Sequence, residues 1–278
     1  MKNQASVVIT RYDEPNRLVR QCLESLKNQI KASGEVIFLD QDNDRDISNF
    51  IKTLTNKRLQ FKYINIPKKS LSFARNYGIK ISKYNYVLFC DVDCVLENNW
   101  IAEIIRTFVT EKASIVGTKI LPVWEKKTKW FHSSKYIREF YSLLDLSNKV
   151  IEVNKVIGAS FGINKKLLGN VAQFKENLGR KDGILIGGEE TELCERIKNM
   201  KGVIAYTPFT FANHSVSSGR MSILWLFKRA YYAGYSRASK RGNIQPFTKK
   251  ANTTDKLCLM LIAPFYVLGY LIAKFGNL

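Results

Sequence analysis

The residues whose chemistry is easiest to state are two aspartates, Asp91 and Asp93, which follow the apolar run 86–90. In an extended segment, side chains two residues apart project to the same side, so we expect both carboxylates to face one site. Such oxygen ligands suit a hard divalent cation, and Mg²⁺ typically takes one or two carboxylates plus phosphate oxygens. A cation held here would neutralise a diphosphate leaving group. Two aspartates at this spacing occur often by chance. The surrounding sequence must therefore decide whether Asp91 and Asp93 form a site.

A second acidic pair, Glu189 and Glu190, follows Gly187 and Gly188 and leads into an amphipathic stretch. Carboxylates at the start of a helix are favoured by its dipole, so an ordinary, well-capped helix would also explain them. Both fall in an acidic first helical turn, but they also precede the amphipathic stretch on a flexible glycine hinge, where a loop could present one of them to a substrate. A carboxylate that takes a proton from an attacking hydroxyl acts as a general base.

Two further side chains could assist these carboxylates. Arg75 lies on a predicted helix after a basic loop, where its guanidinium could hold phosphate oxygens, although an isolated arginine is more often part of a surface salt bridge. His214 follows the apolar run 203–206. It could be a metal ligand or a structural histidine, and both interpretations stay open.

Short apolar runs alternate with helical patterns through the first two-thirds of the chain. The runs predict buried strands, and apolar residues at helical spacing between them predict helices. This rhythm, with short connections, predicts an α/β fold with one mostly parallel sheet flanked by helices. The predicted strands are 6–10, 35–39, 61–64 and 86–90, and the predicted helices are 15–30, 47–54 and 71–81.

Two of these strands end directly in an aspartate, Asp40 in one case and Asp91 in the other. A single aspartate after a strand is usually a turn former or a helix cap. In open sheets of this type, however, ligands bind at the carboxyl ends of the strands. Two strands that end in this way, with Asp93 just beyond, predict a ligand site at that edge of the sheet.

The composition is that of a globular protein. With 278 residues, 45% hydrophobic and 12% aromatic, disorder is excluded as the main state. No signal peptide is recognisable before the first strand.

The five cysteines follow no pairing pattern, which favours a reduced, cytosolic compartment. We expect Cys90 and Cys94 to be buried, inert thiols; two histidines in the chain disfavour a zinc site, and we interpret His132 as a packing residue.

The net charge of +20 is unevenly distributed. Between Glu195 and Asp255 there is no acidic residue, and there are eleven basic ones. So long a stretch of one sign indicates an anionic partner: a phosphodiester, a phospholipid or a nucleotide diphosphate. Near Asn213 the chain becomes basic, aromatic and finally apolar. We therefore divide it into a domain at 1–215 and a helical region at 216–278.

Five segments carry a resemblance to a known family, and they occur in that family's order. The sequence resembles the family 2 glycosyltransferases, which are inverting enzymes with the GT-A fold. The resemblance extends from about residue 5 to 215. Its segments are the opening strand and turn 7–12, the first helix 22–29, the stretch 74–78 similar to "ARNxG", the D-x-D of 91–93, and 188–193 similar to "GEDxDL".

The resemblance implies roles on the donor side. Thr10 and Asp40 would contact the nucleotide, with Asp40 at the base, and Arg75 would contact the nucleoside diphosphate. Asp91 would bind the ribose or the metal, and Asp93 would bind the metal itself, Mn²⁺ or Mg²⁺. The loop that begins at Asp40 departs from the usual "DDGSTD" of the family.

On the acceptor side, Glu190 falls on the family's catalytic aspartate. Glutamate is one methylene longer, so Glu189 stays an alternative base, with Glu190 favoured. A histidine in the region of His214 reaches the metal or the diphosphate in many enzymes of this fold. The "QxxRW" of processive enzymes is absent after His214, which favours transfer of a single sugar.

The resemblance thus implies a metal-dependent, inverting transferase that uses a nucleotide-sugar donor, UDP-linked by family frequency. The acceptor would be a glycan or a lipid-linked molecule in the synthesis of cell-surface polysaccharide or glycolipid. We expect 1–215 to be the catalytic domain and the whole site to lie before residue 215.

The C-terminal region predicts contact with a membrane. Residues 257–273 contain no charged side chain, a length at the lower edge of what spans a bilayer. Pro264 and Gly269 weaken a simple straight span, and a buried core helix is the alternative. Residues 221–235 mix aromatic and basic side chains as an interfacial helix does. We expect a monotopic or shallowly inserted tail on an anionic membrane surface, at the cytoplasmic side of the cell membrane.

Two rival interpretations remain. A basic nucleic-acid-binding protein would suit the net charge and the interleaved tyrosines, but the ordered acidic clusters argue against nucleic acid as a partner. A soluble transferase that never contacts lipid is the second, and membrane pelleting would discriminate against it.

Overall fold

The structure is a computed structural model that describes residues 4–180, 185–238 and 251–276. Within these ranges it contains nine strands and nine α-helices. The strands are β1 Gln4–Arg11, β2 Ser33–Asp40, β3 Leu59–Asn65, β4 Tyr86–Asp91, β5 Cys94–Leu96, β6 Ile115–Trp124, β7 Ile151–Glu152, β8 Ser160–Asn164 and β9 Ile204–Val216. The helices are α1 Asn16–Lys27, α2 Arg45–Thr53, α3 Leu71–Ile81, α4 Trp100–Thr110, α5 Lys135–Phe140, α6 Lys165–Leu168, α7 Glu189–Asn199, α8 Ile223–Ala238 and α9 Thr253–Phe275.

The strands form one mixed sheet in the order β3-β2-β1-β4-β8-β6-β9-β5, with β7 paired to β9. The first four pair in parallel, and β1, β2 and β4 are apolar and buried along most of their length. This is the composition of strands covered on both faces. The predicted α/β fold with a mostly parallel sheet is confirmed. Antiparallel pairings enter with β8, β5 and β7.

The boundaries of α1 and α2 differ from the sequence prediction. α1 begins after Pro15, which is its N-cap, and ends at Lys27 rather than at 30. α2 begins at Arg45 because the side chain of Asp44 accepts the backbone N–H groups of Asp46 and Ile47. Such caps satisfy donors that have no partner within the helix. α3 has the predicted bounds.

The buried thiols and His132 agree with their predicted packing roles. All five cysteines are buried and free, and burial raises the pKa of Cys90 and Cys94 well above the ordinary value. His132 is buried and its ring lies 4.8 Å from that of Trp124.

The C-terminal region forms two helices, α8 and α9, that pack closely on each other. A Cβ added at Gly234 would lie 1.9 Å from the carbonyl oxygen of Tyr266, and one at Gly269 would lie 2.0 Å from the carbonyl oxygen of Tyr231. Only glycine permits so close an approach of two backbones. Gly269, expected from the sequence to weaken a straight span, therefore lies at the point where α9 contacts α8.

The start of α9 is attached to the body of the protein through Asp255. Its Oδ1 accepts the hydroxyl of Ser134 at 2.8 Å and the backbone N–H of Lys135 at 2.9 Å, and its Oδ2 accepts the N–H of Asn252. Burial would raise the pKa of Asp255, but these hydrogen bonds outweigh it and lower the pKa below 3.8.

Within the described part of the chain, α9 is the one helix long and apolar enough to cross a membrane, with 23 residues and a mean hydropathy of 1.9 over an 18-residue window. Most of its surface is not covered by protein, and Met260 is 65% exposed. The structure therefore does not bury α9 as a core helix. Four of the eleven basic residues between Glu195 and Asp255 lie outside the described residues: Lys240, Arg241, Lys249 and Lys250.

Candidate active site

A cavity of about 290 Å³ lies at the carboxyl ends of the parallel strands. β1, β4 and the start of α7 direct side chains towards it. This is the edge of the sheet at which the sequence predicts a ligand site. Six of the eight predicted site residues line the cavity: Thr10, Arg75, Asp91, Asp93, Glu189 and Glu190.

Asp91 and Asp93 reach the cavity by a different local structure from the one predicted. Asp91 is the last residue of β4, and Val92 and Asp93 form a turn that leads into β5. The segment is therefore not extended, because β5 must run back to pair antiparallel with β9. Val92 turns into the core, where it is 2% exposed, and both carboxylates line the cavity.

Asp93 lies between two basic side chains. His214 Nε2 is 3.2 Å from Asp93 Oδ2, and Arg220 Nη1 is 3.6 Å from the same oxygen. Burial alone would raise the pKa of Asp93, but the charges of His214 and Arg220 outweigh it and bring the pKa to about 2. Asp93 is therefore ionised at any physiological pH. Burial raises the pKa of Asp91, and the charge of Asp93 adds to that effect, while Arg75 opposes it.

The donor set at Asp93 fits a divalent cation. Asp93 Oδ1 is buried and has no hydrogen-bond partner among the residues that the structure describes. Ligand atoms of Asp93, His214 and Cys94 lie within 4.8 Å of one another. The Cys94 thiol donates to the carbonyl of Ala159, and sulfur is a soft ligand that Mg²⁺ and Mn²⁺ do not prefer. The available ligands are then the carboxylate of Asp93 and the imidazole of His214. Mg²⁺ and Mn²⁺ prefer carboxylate and phosphate oxygens.

Arg75 connects the elements around the cavity. Its guanidinium donates to Glu189 Oε1 at 3.0 Å and to the carbonyl of Gly158 at 2.9 Å, and it lies 3.4 Å from Asp91 Oδ1. Arg75 is 3% exposed. It therefore fixes the positions of β4, the start of α7 and the loop at 158, besides contributing positive charge at the edge of the cavity.

Glu189 and Glu190 are both in the first turn of α7, which agrees with the predicted acidic first helical turn and not with the alternative of a flexible loop. Gly188 is the N-cap, with φ of 97°, a backbone conformation that glycine adopts without strain. Both carboxylates therefore lie at the start of a helix, where the helix dipole favours negative charge. Their environments differ: Glu189 is 4% exposed and its Oε1 is paired with Arg75, whereas Glu190 is less buried and forms no ion pair with a described residue.

Asp40 and His214 are the predicted site residues that do not line the cavity. Asp40 is fully buried, and its oxygens accept the N–H groups of Asp42 and Asp44 and the hydroxyl of Tyr63. In this arrangement it shapes the loop beneath the cavity. His214 lies behind Asp93, on β9 beside Cys94 of β5.

Two arginines beyond residue 215 belong to the site, so the expectation that it lies entirely before 215 is wrong. Arg220 contacts Asp93, and Arg229 of α8 lines the cavity. Burial lowers the pKa of Arg229 to about 10, and the charges of Arg180 and Arg220 add to that effect. The excess of basic residues after Glu195 indicated that some of them contact an anion. The sequence does not show which of their side chains point towards the cavity.

Curated relatives cover most of the chain at low identity. A glucosyl-dolichyl phosphate glucuronosyltransferase of Haloferax volcanii is 22% identical over 242 residues, which is 84% of this chain and 76% of the relative. The succinoglycan biosynthesis protein ExoM of Rhizobium meliloti is 24% identical over 73% of this chain, and the match spans 64% of that protein.

Solved structures share the fold. The mannosyltransferase PcManGT of Pyrobaculum calidifontis, in complex with GDP-Man and Mn²⁺, superposes with a TM-score of 0.62 at 14% identity, over 98% of this chain and 74% of that one. GalNAc-T7 with UDP, GalNAc and Mn²⁺ gives 0.59 at 14% identity, over 99% of this chain and 56% of that one. The expected GT-A architecture is confirmed.

Residues 6–171 match the family described as Glycosyl transferase family 2. That range contains Thr10, Arg75 and the Asp91–Asp93 turn, whereas Glu189, Glu190 and Arg229 of the cavity come from the part of the chain that follows it. The matched range is more than half of the chain. The chain belongs to glycosyltransferase family 2.

Proposed function

We propose that the protein transfers one sugar, with inversion, from a nucleotide-sugar donor to a hydroxyl of a glycan or lipid-linked acceptor, and that it needs Mn²⁺ or Mg²⁺. One observation carries the proposal. Asp93, with His214 and Arg220 behind it, and Glu190, with an oxygen that accepts no hydrogen bond from a described residue, line one cavity. Family membership favours this function over a nucleic-acid-binding role.

The donor's diphosphate would lie beside Asp93, with the nucleoside towards Thr10 and Asp91. Mn²⁺ or Mg²⁺ held by Asp93 and His214 would neutralise charge on the departing diphosphate. Arg220 and Arg229 are partly buried and supply positive charge that would stabilise developing negative charge without having to reorganise. The UDP and GDP-Man of the solved structures support a nucleotide-sugar donor, and UDP is our choice of nucleotide.

Glu190 is the better candidate for the base. An oxygen of Glu189 is held by Arg75 at 3.0 Å, and this ion pair disfavours the protonated carboxyl that a base must become. The Glu190 carboxylate would accept the acceptor's hydroxyl proton as that oxygen attacks the anomeric carbon. The bond from this carbon to the phosphate oxygen breaks on the opposite face, so the configuration inverts in one displacement. Holding both substrates in line supplies much of the rate.

The enzyme would act at the cytoplasmic side of the cell membrane. α9 has the length and composition of a membrane-associating helix, and a relative is named for a dolichyl phosphate acceptor. We propose 1–215 as the catalytic domain and 216–278 as a membrane-associating extension that also supplies Arg220 and Arg229 to the site. Synthesis of a cell-surface polysaccharide or glycolipid follows from such a location.

A panel of nucleotide sugars tests the function. We expect the purified full-length protein to hydrolyse one of them slowly, with water as acceptor, and to lose that activity in excess EDTA. Restoration by Mn²⁺ or Mg²⁺ would confirm metal dependence. Hydrolysis that is unchanged in EDTA would contradict it, and no hydrolysis or binding of any nucleotide sugar would contradict the proposed function.

A further inference from the structure

A second cavity, of about 570 Å³, adjoins the first at Glu190. Gly187, Gly188, Glu190 and Arg229 line both cavities. The second one is enclosed by α5, the start of α7, α8 and α9. Asp93 does not line it, and Arg229 is the one side chain assigned above to the donor that does.

One wall of this cavity is apolar and continues onto the outer surface of the protein. Leu259, Ile262 and Val267 of α9 line it, and residues 259 to 267 span about 12 Å at the rise of an α-helix. Leu259 is 37% exposed and Val267 is 51% exposed. The cavity wall is thus continuous with the uncovered apolar face of α9. A fully water-soluble acceptor would leave this wall unused.

The same cavity is also lined by basic side chains. Arg229 and Arg237 of α8 and Lys155 line it. Lys155 is balanced by Glu139 at 2.8 Å. Arg229 donates to the carbonyl of Leu185, and its buried Nε has no partner among the residues described. With Glu139 and Glu190 also lining it, the cavity has one more basic than acidic side chain among its described residues, and guanidinium groups are well suited to phosphate.

We propose that this second cavity binds a lipid-linked acceptor, a sugar joined through phosphate to a long hydrocarbon chain. The phosphate lies against Arg229 and Arg237, the chain lies along α9 towards the membrane, and a sugar hydroxyl reaches Glu190. This inference rests on the proposed function, because it takes Glu190 as the base. It narrows the acceptor from glycans in general to one chemical class.

Photocrosslinking of the full-length protein with benzophenone-tagged farnesyl phosphate tests the site. We expect crosslinks in peptides of α8 and α9, suppressed by untagged farnesyl phosphate and much less by farnesol, inorganic phosphate or phosphatidylglycerol. Equal competition by inorganic phosphate, or by phosphatidylglycerol, would overturn the proposal, because the site would then recognise a free anion or a bilayer headgroup.

Two substitutions test separately how the hydrocarbon chain and the phosphate of the ligand contribute to binding. Ala233 lines the second cavity, so Ala233→Trp should lower crosslinking about tenfold, or roughly 1.4 kcal/mol. Leu224→Trp is the control on the same helix, at a position 74% exposed. Arg237→Gln should weaken farnesyl phosphate binding about tenfold, as expected for a lost charge-assisted hydrogen bond, and leave farnesol unaffected. Lys228→Gln, which removes an exposed charge from the same helix, should change neither.

Failure of this inference can be distinguished from failure of the proposed function. Nucleotide-sugar hydrolysis by the wild-type protein tests the function without any lipid. Thermal unfolding of each variant shows whether it folds, and Arg237→Gln still tests the site if Ala233→Trp does not. Normal hydrolysis together with crosslinking that neither Ala233→Trp nor Arg237→Gln reduces would overturn the lipid-acceptor site alone.

Discussion

Asp93 is held ionised by neighbours that a sequence cannot place around it. His214 and Arg220 both lie within 4 Å of its Oδ2, and they arrive from β9 and from the segment after it. The D-x-D spacing predicted the carboxylate, whereas its lowered pKa comes from residues distant in sequence. The same is true of Arg75 and Glu189, which are 114 residues apart.

Asp93→Asn should abolish transfer, because it removes the charge that would anchor a cation while preserving the size of the side chain. Loss of one electrostatic group at the reacting centre typically costs about 10² to 10³ in turnover. Donor binding, measured by calorimetry with and without Mn²⁺, should lose its dependence on the metal. Near-normal turnover of this variant without added metal would show that the metal assignment is wrong.

Glu190→Gln should reduce turnover by about 10² or more, the usual contribution of a general base, and leave donor affinity nearly unchanged. Glu189→Gln is the comparison, since it weakens the ion pair with Arg75 without removing the candidate base. We expect it to affect turnover less and thermal stability more. Single-turnover transfer and donor titration of both variants measure these effects. Equal activity of Glu190→Gln and wild type would place the base elsewhere.

Among the elements, those with a local pattern were predictable. The four parallel strands and α3 follow from apolar runs and helical spacing. The turn at Val92 was not predictable, because it depends on the pairing of β5 with β9. These two segments are far apart in the chain. The acidic first turn of α7 was predictable, but Gly187 and Gly188 suggested a flexible hinge, whereas Gly188 is the N-cap of the helix.

The crossing of α8 and α9 gives a prediction at this scale. Gly234→Ala would place a Cβ within 1.9 Å of a backbone oxygen, so the helices must separate, at a cost of about 1–3 kcal/mol for overpacking. We expect a lower unfolding temperature and faster proteolysis of α9. Gly219→Ala is the control, because nothing lies within 4 Å of its added Cβ. Equal stability of the two variants would argue against this helix contact.

Asp255 should contribute a pH-dependent part of the stability. Its folded pKa is lower than the ordinary 3.8, so its contribution is present above that pH and is lost as the pH falls through the folded pKa. Asp255→Ala should therefore destabilise the protein at pH 7 and lose its effect under more acidic conditions. Asp145→Ala, at an ion pair with 46% exposure, should have little effect at either pH. Unfolding midpoints across pH measure the difference.

At the scale of the whole molecule, the charge and the apolar tail act together. The uncovered face of α9 would enter the lipid interface, and the basic segment before it would be drawn to anionic lipid by about 1 kcal/mol for each cation near the surface. Because α8 carries Arg229 into the site and packs on α9, removal of α9 by truncation would disturb both membrane contact and catalysis. Substitutions on the outer face of α9 separate these effects.

The double substitution Leu268→Glu and Leu271→Glu should release the protein from anionic vesicles. Both side chains are about half exposed, at 51% and 45%, and neither lines a cavity described above, so the fold and donor hydrolysis should be retained. Placing two carboxylates in the lipid-facing surface opposes its burial. Leu167→Glu with Ile30→Glu is the matched control, since these leucine and isoleucine side chains are equally exposed but lie away from α9. Pelleting with phosphatidylglycerol vesicles at low salt measures the difference; equal pelleting of all three proteins, or no pelleting of the wild type, would show that α9 is not the membrane contact.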